Sequence, residues 1–179
     1  MRQIISSVIG LLIATASLIH GQQTSPPAAN SPSDFQEIDG LLIRCPAQLL
    51  RQKDDSPTNS RIKTEVRYQA IMDRLFVRII SGEGSENTEP SLEGLAASTI
   101  RTILKKPGLT DPKSSSADIT ISGLPAKRIS ISAKGDGKDI YSELLCLVKG
   151  QHLWIVDTVF QDASKTPAVK AMLDSVRIK

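Results

Sequence analysis

The sequence predicts an α+β domain in which an antiparallel sheet of about six to seven strands packs with two helices. Three observations carry the prediction. From Asp118 to Phe160 the chain reads D-ITISG-LPAKRISISA-KGDGK-DIYSELLCLVKG-QHLWIVDTVF, four apolar or alternating runs divided by glycine, proline and charged turns. That is the pattern of a strand meander. Residues 61–81 hold two further alternating runs around the turn Met72-Asp73-Arg74. Between these regions, residues 91–106 change to apolar spacings of three and four, the period of a helix.

The first residues read as a targeting segment. Arg2 supplies a positive start, Ile4 to Ile19 is apolar and almost uncharged, and small Gly21 follows. This is the pattern of a secretory signal peptide spanning 1–21, whose removal exports the mature chain to the periplasm or the outside of the cell. Its apolar core is shorter than the ~20 residues a membrane-spanning helix needs, so no transmembrane span is expected in the mature chain. Gln22 to Ser33, QQTSPPAANSPS, has no apolar period and reads as a spacer. The expected division is therefore a linker over 22–37 and a single domain over 38–179, with folding starting near Phe35 or Ile38.

Within the domain, Leu41–Cys45 is a compact apolar run stopped by Pro46, which lacks a backbone donor and marks a strand end. Arg61–Ala70 alternates, with Ile62, Thr64, Val66 and Tyr68 on one side and Arg61, Lys63, Glu65 and Arg67 on the other. Leu75–Ser81 is its hairpin partner. The helix follows: Leu92, Leu95, Ala96, Thr99, Ile100, Ile103 and Leu104 form its stripe, Thr88 or Ser91 can cap it, and Pro107-Gly108 ends it. Leu109–Ala117 carries proline and serine without a period, which reads as a loop. Ile140–Val148 and Leu153–Phe160 are apolar on both sides and so belong at the centre of the sheet. Ser164, Pro167 and an apolar stripe ending at Val176 give the second helix. Aromatics are 3% of the chain, so Ile, Leu and Val must build the core.

This order resembles the PsbP-like/DcrB-like family of exported α/β/α sandwich domains. The resemblance runs from about Ile38 to Lys179 and rests on LLIRCP, the hairpin and helix, G-L-P-A-K-R, the central hairpin YSELLCLVKGQHLWIVDTVF, and a terminal helix running into S-V-R-I. It implies a non-catalytic scaffold or partner-binding role and transfers no catalytic residue.

Composition narrows function mainly by exclusion. The net charge is +3, which supplies no basic tract for nucleic acid. Only His20 and His152 are present, and His20 leaves with the leader, so any histidine-based triad or zinc site must be built on His152. No serine sits in a G-x-S-x-G turn. No catalytic, cofactor or metal residue is predicted. The candidate binding feature is a basic sheet face formed by Arg61, Lys63, Arg67, Arg78 and Arg128, against the alternative of a solvated face held by cross-strand ion pairs with Glu65 and Glu143. Cys45 and Cys146 either bridge, as exported cysteines often do, or stay as separate buried thiols. The functional expectation is an exported, non-enzymatic domain that binds or assembles with another cell-envelope protein. The alternative is a binder of a small anionic or lipidic ligand held between helix and sheet.

Overall fold

The computed structural model describes residues 34–52, 62–84 and 90–179. The leader, the spacer and the expected turn at 54–57 lie outside these residues. Ten strands and two helices follow in the order β1 (Gln36–Ile38), β2 (Leu41–Ile43), β3 (Leu50–Arg51), β4 (Ile62–Met72), β5 (Leu75–Gly84), α1 (Leu92–Leu104), β6 (Leu109–Ile121), β7 (Leu124–Gly135), β8 (Lys138–Lys149), β9 (His152–Phe160), α2 (Thr166–Asp174) and β10 (Arg177–Ile178). A short 3-10 turn, Ala163–Lys165, leads into α2.

Seven strands form an antiparallel sheet in the order β3-β4-β5-β9-β8-β7-β6. Its four long hairpins turn in two residues or so. Ser122-Gly123 and Asp136-Gly137 both hold positive φ at each central position (51° and 81°; 50° and 74°), the backbone that keeps right-twisted strands together. As the sequence predicts, β8 and β9 sit centrally and are buried on both faces from Ser142 to Leu147 and from Leu153 to Thr158.

Alternation along these strands splits the core in two. One face carries Ile129, Ile131, Leu144, Cys146 and Ile155, and α1 covers it with Ala96 and Ile103. The other carries Val77, Ile79, Leu145, Leu147, Trp154, Val156 and Phe160, and α2 covers it with Val169, Met172 and Leu173. Beside α2 lies a three-stranded sheet, β1-β2-β10, whose Ile38, Leu41 and Ile43 join the same core. The result is a sandwich of α1, the large sheet, and a mixed layer of α2 with the small sheet.

The start of α1 shows how local chemistry sets an element. Ser91 Oγ accepts from the Gly94 backbone N–H at 3.0 Å. A Cβ at position 94 would meet that oxygen at 2.7 Å, so this glycine leaves room for the cap, not for close packing on the sheet.

Two expectations change. Leu109–Ala117 is not a loop but most of β6, a 13-residue edge strand. β1 starts at Gln36, whose side chain donates to the carbonyls of Cys45 and Ala47 and accepts from Leu49 N–H. Residues 177–178 do not simply leave the helix but pair with β2 as β10.

Cys45 and Cys146 are both free and buried, so the bridging alternative fails. Cys45 packs in the core on the α2 side and Cys146 in the core under α1, with the sheet between them. Burial raises both thiol pKa values, that of Cys146 to about 12. Because the thiolate is the reactive form, neither should react with Ellman's reagent until the protein is denatured, whereupon both titrate together. A native protein that loses mass by oxidation to a disulfide, or that gives a fast thiol signal, would contradict this placement.

Candidate functional site

The five cations expected on one basic face do not share one. Arg61 lies outside the described residues, and Lys63 is in β4 without a described side chain. Arg67 and Arg78 are on the α1 side of the sheet, since Arg67 lies opposite Ile80 and Gln69 opposite Arg78. Arg128 lies opposite Leu145 on the α2 side. Each of the three described arginines is paired: Arg67 with buried Glu65 at 2.7 Å, Arg78 with buried Asp157 at 2.5 Å, and Arg128 with Asp174. Glu143 is also buried, accepts from Ser130 Oγ at 2.8 Å and lies 3.9 Å from Lys170 Nζ. For these three the ion-pair alternative is the arrangement found, and Arg128 borders a concave surface.

That surface is a cleft of about 440 Å³ where the β6–β7 hairpin meets the end of α2 and β10. Alternation turns Ile119 and Ile121 of β6 toward the α2 side, where they form an apolar floor that α2 does not reach across. Arg128 and Arg177 stand over it, with Asp174 at the end of α2 between them. Thr120 and Ser122 complete the lining. Ser122 Oγ accepts from Ile178 N–H at 3.0 Å, which fixes the hairpin tip to β10. Arg177 donates through one nitrogen to the carbonyls of Asp174 and Val176, at 2.7 and 2.6 Å. Arg128 Nε is buried and has no hydrogen-bond partner among the described residues.

The other grouping with chemical potential is Ser81 and His152. Ser81 Oγ lies 2.9 Å from His152 Nε2, and the imidazole leans on Trp154 with ring centroids 4.2 Å apart. A serine nucleophile needs an approach path and donors aimed at a developing oxyanion. Ser81 is 1% exposed within a ladder pairing it with Trp154. The pair therefore anchors β5 to β9 and presents no attacking oxygen. Burial depresses the His152 pKa below 6.5, against smaller upward pulls from Asp39 and Glu83. The folded state thus resists protonation more than the unfolded state does. Its stability should be full above the ordinary imidazole value and fall as pH drops through 6.5 toward the depressed value. Thermal melts from neutral pH to below that window should show the loss, and His152→Gln should flatten it relative to the parent.

Among the described residues no group of His, Cys, Asp and Glu is arranged to hold a metal ion, and no helix is long and apolar enough to cross a membrane.

The layers, strand order and terminal helix define an α+β domain of PsbP-like fold. The solution structure of cyanobacterial PsbP from Synechocystis sp. PCC 6803 matches it with a TM-score of 0.54 at 10% identity, over 89% of this chain and 98% of that one. LpqN of Mycobacterium tuberculosis, described as involved in cell envelope biogenesis, matches with a TM-score of 0.47 at 14% identity, over 82% of each chain. Protein PA94 of Pseudomonas aeruginosa, of unknown function, matches with 0.47 at 14% identity, over 74% of this chain and 96% of that one. No family model and no curated protein matches the sequence.

Proposed function

We propose that the chain is an exported, non-enzymatic domain that docks another protein of the cell envelope along the edge of its large sheet. One observation carries the reading: β6 is a 13-residue edge strand whose residues Thr110 to Asp118 are all exposed. A strand at an edge offers a row of backbone donors and acceptors, and a partner's extended segment can continue the ladder there. Proteins that avoid such pairing shorten the edge strand or load it with charge. Here Lys113 to Asp118 reads K-S-S-S-A-D, with four small uncharged residues in a row. Pro112 blunts only the far end, at the register shift between Thr110 and Lys113. The leader-like first 21 residues support the exported setting. The burial of Ser81 beside the sole described histidine supports a non-enzymatic role.

Crosslinking of the intact cell envelope followed by mass spectrometry tests the reading. Lys113, exposed within β6, should crosslink to one envelope protein. Placing lysine at Ser114 and Ser116 should abolish that product while leaving the melting temperature unchanged. A Lys113 that yields no partner, or a crosslink indifferent to the added charges, would remove the edge-docking reading.

A further inference from the structure

We infer that the cleft between the β6–β7 hairpin and the α2–β10 corner is a binding site for a carboxylate carried on a short aliphatic chain. The inference stands on different residues from the docking reading and does not depend on it. Charge fixes the head group. Arg128 and Arg177 bring two permanent positive charges to the cleft and Asp174 one negative charge, so a single positive charge is in excess and a monoanion completes the set. The donors also outnumber the acceptors. Arg128 spends one terminal nitrogen on Asp174, while its buried Nε is left without a partner among the described residues. That nitrogen is closed to solvent, so the donors Arg128 can offer a ligand are its remaining terminal N–H groups. Arg177 uses a single nitrogen on the carbonyls at the end of α2, which leaves the rest of its donor fork for a second oxygen. Ser122 Oγ already accepts from Ile178, so its hydroxyl hydrogen is the part available to a ligand.

The floor fixes the tail. Ile119 and Ile121 are β-branched aliphatics with no aromatic partner in the lining, a surface suited to methylene groups more than to a planar ring. A volume of about 440 Å³ falls in the lower part of the ~300–1,000 Å³ typical of small-molecule sites, so a short chain fits and a long one must project along β6.

Calorimetric titration of the full-length processed protein with octanoate tests this, with octan-1-ol, octylammonium and acetate as matched probes. Octanoate should bind at a single saturable site, and the alcohol, the cation and the tail-less acid should bind far more weakly. Arg177→Glu, at an exposed position, should weaken octanoate by about tenfold or more, and a melt that stays cooperative, though lowered by loss of the bonds to the Asp174 and Val176 carbonyls, shows that the variant is folded. Arg128→Gln should do the same, and its folding can be checked by the same melt. The inference is overturned if octanoate does not bind, if octan-1-ol binds as tightly, or if folded Arg177→Glu retains parental affinity. Crosslinking at Lys113 would be unaffected by either arginine variant, so this result and the docking result fail separately.

Discussion

Arg78→Ala is expected to lower the folding free energy by about 3 kcal/mol, the lower end of the ~3–5 kcal/mol range for stranding one member of a buried ion pair. Asp157 lies on the central strand β9 and is 1% exposed. Its carboxylate accepts from an Arg78 terminal nitrogen at 2.5 Å and from Ser142 Oγ at 3.2 Å, and Lys106 lies close enough to interact with both charges. Removing the guanidinium leaves a carboxylate in the sheet that cannot return to water. The Arg78 side chain is 29% exposed, and solvent screening is the reason for choosing the lower end of the range. Urea unfolding should show a lower midpoint at unchanged slope. Arg78→Met with Asp157→Leu together should recover most of the loss, because the cost belongs to the unpaired charge and not to the missing contact. A single-variant cost below about 1 kcal/mol would mean that the pair behaves as a surface bridge.

The same pair shows why the sequence misled about the basic face. Alternation correctly put Arg67 and Arg78 on one side of their hairpin, but it says nothing of the residue across the next strand. Asp157 sits in an apolar run, LWIVDTVF, where it reads as an interruption, and only the β5–β9 register reveals it opposite Arg78. Strands with one wet face and the helix stripe of α1 were legible, because burial on one side imposes a period. Edge strand β6 was not. From Thr110 to Asp118 it is exposed on both faces, so no period is imposed there, and Pro112 with three serines mimics a loop. Strand β10 has two residues, too few to show any pattern.

The candidate cleft was half legible for related reasons. Arg128 stood out as a cation on an alternating strand, but its neighbours there come from distant parts of the chain. Arg177 follows α2, and nothing local signals that β10 turns it toward the β6–β7 hairpin. Ile119 and Ile121 carried the alternation that assigned them inward. What the sequence lacked was the reach of α2, which stops at Asp174 and leaves Ile119 partly open while Ile121 is buried. An apolar face read from alternation is thus a statement about direction, and whether it is covered depends on helix length and placement.

Phe160→Ala should be the most damaging apolar substitution, costing about 3–5 kcal/mol through lost burial and the cavity left behind. Phe160 is 1% exposed and is the largest of the fully buried side chains. It ends β9, lies opposite Leu75 of β5 and Tyr141 of β8, and stacks on Tyr141 with centroids 5.7 Å apart and planes at 25°. The core that α2 shares with the small sheet is built around this corner, and the 3-10 turn that launches α2 begins three residues later, at Ala163. Loss of the ring should therefore loosen α2 before α1. Hydrogen exchange on Phe160→Ala should show faster exchange in α2 and β10 than in α1, alongside the lower urea midpoint. Phe160→Leu, which keeps most of the volume, should cost less than half as much; equal costs would mean that the ring's stacking on Tyr141, and not its volume, holds the corner.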